Sequence, residues 1–439
     1  MQQEKNIRQL VLEMLLAVTK KEGGEYSHKV IRDVQNKYNY LSTQEKAFMK
    51  RLFEGTLERM IELDYCIDCY SKVKVNKMKP VIRNIMRMGV YQILYMDSVP
   101  DSAACNESVK QAQAKGFATL KGFVNGVLRT IARNKDAIPY PDEKKDYRKY
   151  LSVTYSMPEW IVDLWIGQFG QETTTAMLQG LLQERPVTIR MRTEDEKAVE
   201  ALRADLEKQG GTLKRHPYLS YAYVIEKTDD LTQLSGFEEG AFVIQDISSM
   251  LAVEALGLPK MDNQGTLKIL DICAAPGGKS MLAADILNHA DIDYMLEARD
   301  ISEYKVELMQ ENFNRCHLNK AKAVAWDALE PDERWLGQAD VVIADIPCSG
   351  LGVIGRKRDI KYKMTPQAVQ DIVELQEKIL KVAASYVKKG GKLLFSTCTV
   401  NKDENEAHVK WIQDTLKMTP VSLNGTLPGL VHSPTTQQG

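Results

Sequence analysis

Cysteine is scarce in this chain: seven residues among 439, scattered rather than set at regular intervals. That excludes a disulfide framework and makes a reducing cytoplasm the expected setting. No apolar run approaches the roughly 20 residues needed to cross a bilayer, so no membrane association is expected. The opening "MQQEKNIRQL" has no apolar segment after its charges and carries an acid early, unlike a secretory signal. Charge of one sign is also wanting. The 58 Lys+Arg against 59 Asp+Glu leave a net charge of −1, which does not by itself advertise a nucleic-acid binder. Metal-ligand spacing is missing too: Cys66 and Cys69 form a lone CxxC on a helix-like stretch, and His317 and His408 have no ligand partners in sequence. No metal site is expected.

What is present begins with local asymmetry. The stretch "SKVKVNKMKPVIRNIMRMGV" holds Lys72, Lys74, Lys77, Lys79, Arg83 and Arg87 with no acid. From Lys110 to Lys135 acids are again absent, while Lys115, Lys121, Arg129, Arg133 and Lys135 add positive charge. Clustered cations contact phosphates where a global balance does not. The competing reading is a solvated helical face. Two such runs in the first third of the chain tilt the expectation towards RNA.

At this length two or three domains are expected. Residues 1–136 read as all-helical: Ile7, Leu10, Met14 and Val18 share a face, and Ser42 with Glu45 forms a capping-box pattern. Residues 137–150, with Pro139, Pro141 and dense charge, read as a linker. Residues 151–239 read as a small α+β domain, with "PVTIRMRT" and "YAYVIEK" as strands around the helix "DEKAVEALRADLEKQG". From residue 240 to 439 short apolar strands alternate with helical stretches, which predicts an α/β doubly wound, Rossmann-like parallel sheet.

In that third region "LKILDICAAPGGKS" runs from a strand into a glycine turn and a helix. Gly277 and Gly278 allow a ligand to approach the backbone, and the helix N-terminus offers free amides. The motif is neither GxGxxG nor a P-loop. Asp300, about 20 residues on, ends the next strand where a carboxylate takes ribose hydroxyls. Asp327 follows the third strand and faces either an adenine amino group or, as a cap, its own backbone. The fourth strand delivers Asp345 and Cys348 in "ADIPCSGLG", and the fifth delivers Cys398 in "STCT". A lone cysteine is usually a small buried hydrophobe. Two cysteines and an acid converging beside a nucleoside pocket argue for chemistry instead. A thiolate added to carbon 6 of cytosine makes carbon 5 nucleophilic, and an acid at ring N3 stabilises the adduct. Spacing alone does not say which cysteine attacks.

"CAAPGGKS", "DIPCSGLGV", "RDIKY" and "STCTVNKDENE" resemble the ordered signatures of the bacterial RNA cytosine-5 methyltransferases of the Nol1/Nop2/Sun superfamily. "FVIQDISSMLAVEAL" resembles the element before its cofactor domain, and the N-terminal helices resemble a NusB-type RNA-binding domain. The combination is similar to the Sun/Fmu type, which acts on small-subunit (16S) ribosomal RNA. The resemblance implies that Cys398 is the nucleophile, that Cys348 assists release and that Asp345 contacts the base and lies near the cofactor. It implies S-adenosylmethionine bound by Cys273, Ala274, Ala275, Pro276, Gly277, Gly278, Lys279, Asp300 and Asp327. Arg356 and Lys361, in and beside "RDIKY", join the lysines and arginines of residues 72–87 as implied RNA contacts. Two departures stand out: Arg358 replaces the family's usual proline, and "HSPTTQQG" stands where a closing Asp-Gly-Phe-Phe-like strand is typical.

The expectation is therefore a monomeric RNA (cytosine-5)-methyltransferase acting on 16S ribosomal RNA. Its rivals are the same chemistry on another RNA such as tRNA, and a non-catalytic RNA-binding or antitermination factor. An amino-directed base methyltransferase fits less, because "DIPC" is not its Asp-Pro-Pro-aromatic element.

Overall fold

In the N-terminal third, apolar residues spaced three and four apart form helices, of which Pro80–Tyr95 is the central one. Its proline occupies the first turn, where the missing amide costs nothing, and Ile82, Ile85, Met86, Met88 and Val90 are all buried. Helix Thr43–Glu58 opens on the capping box of Ser42 and Glu45 and packs on Pro80–Tyr95. Gly55 permits that approach, since a Cβ there would fall 2.0 Å from the Tyr91 ring.

The computed structural model describes residues 6–20, 23–183, 186–192, 195–227, 231–261 and 265–423. The chain divides into two compact units, Met1–Glu184 with Leu351–Pro366, and Arg185–Gly350 with Gln367–Gly439. Helices Tyr147–Thr154, Glu159–Phe169 and Gln171–Leu181 fall in the first unit, although the sequence assigned residues from 151 onward to the middle region. The stretch read as a linker is docked there. Tyr140 donates to Glu62 at 2.7 Å, Tyr65 donates to the Pro139 carbonyl at 2.5 Å, and helix Tyr147–Thr154 packs on Met60–Tyr70.

The first unit is completed by the distant segment Leu351–Pro366. Arg358 pairs with Glu54 at 3.0 Å and Glu58 at 3.1 Å. Asp359, buried, accepts both the Ser27 amide at 3.2 Å and its hydroxyl. Tyr362 donates to the Leu57 carbonyl at 2.8 Å.

Among its described residues the second unit holds two sheets. Strands β1 (Val187–Met191), β2 (Thr212–Arg215), β3 (Ala222–Glu226) and β4 (Phe242–Ile244) form an antiparallel sheet in the order β2-β3-β1-β4. Helix Glu196–Lys208 covers it through Leu202 and Leu206. Strands β5 (Leu267–Asp271), β6 (Tyr294–Asp300), β7 (Ala321–Ala325), β8 (Ala339–Asp345) and β9 (Val387–Ser396) form the parallel sheet, ordered β7-β6-β5-β8-β9. Both its faces are apolar, with Ile269, Leu296 and Val341 in one core and Leu270, Val342 and Ala344 in the other. Burial on both faces explains why these strands read as continuous apolar runs. The order reverses between β5 and β8, so the carboxyl ends of those two strands form the crevice where such sheets bind ligands. Among the described residues this sheet has five strands. The "HSPTTQQG" region lies outside them.

Candidate active site

β5 ends at Asp271, and the turn beyond it is fastened on both sides. The Ile272 amide donates to Ile343 of β8 at 3.0 Å, and the Ala274 amide to Arg299 of β6 at 2.7 Å. Gly277 lies at φ +98°, in the left-handed region, and Phe313 crowds the space that a side chain there would need. Helix Gly278–His289 begins there, so its first amides face the crevice without intrahelical acceptors. Ser280 donates to Asp271 at 2.6 Å. Burial pushes the Asp271 carboxyl up to about 7, the Ser280 hydrogen bond opposing and the Asp345 charge adding to the rise. Cys273 is half-buried, its thiol pushed up to about 12 by burial and three nearby carboxyls. It is not poised as a nucleophile.

The strand register brings the reactive groups together. Asp345 of β8 pairs with Ser396 of β9, and both strands then leave the sheet at the same edge. Three residues past Asp345 comes Cys348, and two past Ser396 comes Cys398. Their sulfurs lie 2.9 Å apart without a disulfide between them, and the Cys398 amide donates to the Cys348 sulfur at 3.2 Å. Cys398 is exposed and Cys348 half-buried. The neighbouring sulfur and burial hold the Cys348 thiol far above its ordinary range. Asp345 takes Lys279 on one oxygen at 2.6 Å and Ser396 on the other at 2.8 Å. Lys279 thus links the glycine turn to the acid beside the cysteines.

Asp300 ends β6, buried, accepting the Ser302 amide at 3.1 Å and facing Lys305 at 3.3 Å. Asp327 accepts the Leu329 amide at 2.9 Å in a turn, not at the start of a helix. Ala275 and Pro276 are joined by a cis peptide bond within the turn. The sequence reading missed Ser349, Gln376, Asn401, Glu404 and His408, a buried polar cluster behind the two cysteines. Glu404 sits in "NKDENE", which looks like a solvated acidic run. It also missed Arg299, buried between Glu297 and Asp332, each at 2.5 Å.

Among the implied RNA contacts, Lys72, Lys74, Lys77, Lys79 and Arg356 are exposed and Arg83 is half-buried. Two others are corrected. Arg87 is buried and forks onto both oxygens of Asp64 at 2.6 Å, so it braces the helical core. Lys361 is 2% exposed, its ammonium donating to the carbonyls of Glu58 at 2.7 Å and Ser156 at 2.6 Å. Both charges are spent on partners inside the protein. Among the described residues no three His, Cys, Asp or Glu side chains gather as a metal-ligand set.

Residues 258–426 match the family described as 16S rRNA methyltransferase RsmB/F, residues 5–133 the NusB family, and residues 157–232 the RsmF/B-like ferredoxin-like domain. The parallel sheet with its cysteine rim is therefore a Rossmann-like methyltransferase domain. A curated relative from Bacillus subtilis (strain 168), "Probable ribosomal RNA small subunit methyltransferase B", is 33% identical, covering 97% of this chain and 93% of the relative. A relative of the same name from Synechocystis is 30% identical over 88% of this chain and 87% of its own. The crystal structure of PH0851 shares the fold at a TM-score of 0.74 and 21% identity, covering 93% of this chain and 88% of that one. The chain belongs to the ribosomal RNA small subunit methyltransferase B family.

Proposed function

We propose that this protein transfers a methyl group from S-adenosylmethionine to carbon 5 of a cytosine in small-subunit (16S) ribosomal RNA, through a covalent cysteine adduct. The observation that carries the chemistry is the pair of sulfurs 2.9 Å apart at the sheet rim, with Asp345 on the strand leading to one of them. The curated relatives are named for the small-subunit RNA.

The residues suit that cofactor. A left-handed glycine at 277, where a Cβ would sit 3.2 Å from Phe313, allows backbone approach, and the buried Asp300 offers a carboxylate to a ribose diol. Cys273 through Lys279 with Asp300 would hold it, Asp327 would face the adenine, and Asp345 would lie alongside. When bound, it supplies an electrophilic methyl group. Cys398, the exposed sulfur, adds as a thiolate to carbon 6, and the ring electrons pass to carbon 5. Asp345 protonates or hydrogen-bonds ring N3, stabilising the adduct that addition creates. Carbon 5 takes the methyl group and then bears one proton too many. Cys348 assists removal of that proton, the carbon 6–sulfur bond breaks, and Cys398 departs as thiolate. Residues 1–136 and 151–239 hold the RNA, with Lys72, Lys74, Lys77 and Lys79 on phosphates.

Labelled cofactor and unmethylated small-subunit RNA should yield 5-methylcytosine, with tRNA as the competing substrate. Cys398→Ala should abolish turnover, and Cys348→Ala should accumulate an RNA–protein adduct on a denaturing gel. An adduct that survives the loss of Cys398 would reverse the two roles. Incorporation into tRNA alone would move the substrate.

A further inference from the structure

Cys348 and Cys398 sit on separate loops, 50 residues apart in sequence, so neither loop alone can set the gap between their sulfurs. A buried cluster directly beneath them ties the two loops together. Glu404 is 0% exposed and takes four donors: the Ser349 amide at 2.8 Å, the Ser349 hydroxyl at 2.5 Å, Asn401 at 3.1 Å and Gln376 at 3.1 Å. Three of these are N–H groups that cannot accept, so both carboxylate oxygens act as acceptors.

The remaining partners fix how the cluster is wired. The Gln376 side-chain amide donates to the Pro347 carbonyl at 2.8 Å. A carbonyl accepts only from the NH2 end, so the Gln376 oxygen points the other way, to His408 Nε2 at 2.8 Å. His408 must therefore carry its proton on Nε2. Burial keeps its pKa below the ordinary histidine value, in keeping with a neutral donor. The Ser349 hydroxyl also touches Thr399 Oγ1 at 2.8 Å. Thus the peptide groups on both flanks of Cys348, the Pro347 carbonyl and the Ser349 amide, are gripped from below. The grip comes from helix Pro366–Tyr386 and from the loop that carries Cys398.

From this arrangement we infer that Glu404, with Gln376 and His408 behind it, is a positioning device that sets the Cys348–Cys398 separation and so governs how fast the adduct is released. The inference rests on the covalent reading proposed above. None of the three touches the reacting atoms. In a buried, fully paired cluster, loss of one acceptor leaves several donors unmet and lets the loops drift. A displacement of about 1 Å in a reacting group is enough to cost about 10²-fold in rate. The adduct-forming sulfur stays in its exposed place, while the partner that completes the cycle moves away from it.

The test uses the full chain, comparing wild type, Glu404→Gln and Ser349→Ala in single-turnover reactions with labelled RNA. Both methyl transfer and the fraction of RNA held as adduct are read. Glu404→Gln is expected to slow the release of methylated RNA from the adduct by about 10²-fold, to leave cofactor affinity within a few-fold, and to raise the adduct fraction several-fold. Ser349→Ala, which keeps the amide contact, is expected to shift both in the same direction but less. It also serves as the readout should Glu404→Gln fail to fold. A variant whose activity falls only with its folded fraction, at an unchanged adduct fraction, would make the cluster merely structural and overturn the inference. If wild type turns over and Cys348→Ala traps adduct while Glu404→Gln behaves as wild type, the inference alone falls. If wild type makes no 5-methylcytosine and Cys348→Ala traps nothing, the covalent reading falls and takes this one with it.

Discussion

The Asp271 carboxyl, 1% exposed at the end of β5, titrates at about 7 because burial opposes its charge. An unfolded aspartate releases its proton near about 4. Between those values the unfolded chain is the more deprotonated state, so stability falls as pH rises through the window and is undiminished below it. Asp271→Asn keeps an oxygen for Ser280 and removes the charge. It should flatten that decline and stabilise the protein by about 1–3 kcal/mol at pH 8, with little change at pH 4, in urea unfolding at the two pH values. A cost that is equal at both would sink the idea. At this scale the legible residues were those whose chemistry is written in one contiguous motif: the glycine turn, Asp345, Cys348 and Cys398. Arg87 and Lys361 were misread because their partners are remote, Asp64 lying 23 positions away and Glu58 303. A cation whose acceptor is distant in sequence looks like a surface charge.

Helices and strands were legible wherever periodicity and end signals agreed, as at Ser42 and the apolar runs of β5 and β8. The segment Leu351–Pro366 was not, because its place is decided by side chains that meet residues far back in the chain. The resemblance implies RNA contacts in and beside "RDIKY", yet Asp359 within it is buried and bonded to Ser27 and Lys363. Its two partners hold the Asp359 carboxyl below the ordinary range against the opposing effect of burial. The folded value being the lower one, this contribution is present above about pH 4 and is lost as pH falls through the folded value. Asp359→Ala would strand the Ser27 amide and remove the counter-charge of Lys363, which keeps the Gly24 and Glu25 carbonyls, and should cost about 2–4 kcal/mol at pH 7. Thermal unfolding of the full chain at pH 7 and pH 3 measures it. The difference between variant and wild type should shrink at the lower pH, and a constant difference would count against the assignment.

At the scale of the molecule, two compact units share one chain that passes from the first to the second, returns at Leu351 and leaves again after Pro366. Hydrogen exchange on the full chain should therefore show Ile360–Lys363 protected together with helix Thr43–Glu58, which they bond. Exchange of that segment within seconds, while the helix stays protected, would contradict the shared unit. The general plan of helical, mixed and parallel-sheet regions was readable from pattern alone. The return of the chain was not, since nothing in local propensity marks a segment as belonging to a partner made much earlier. That return has a consequence during synthesis. The 182 residues from Glu184 to Pro366 (366 minus 184) take the ribosome roughly 10–35 s at typical elongation rates. For that interval Ser27 and the carbonyls of Glu58 and Ser156 have only water for company. The N-terminal helices of a nascent chain thus wait, unfinished, for a piece that is translated after four strands of the other unit's parallel sheet.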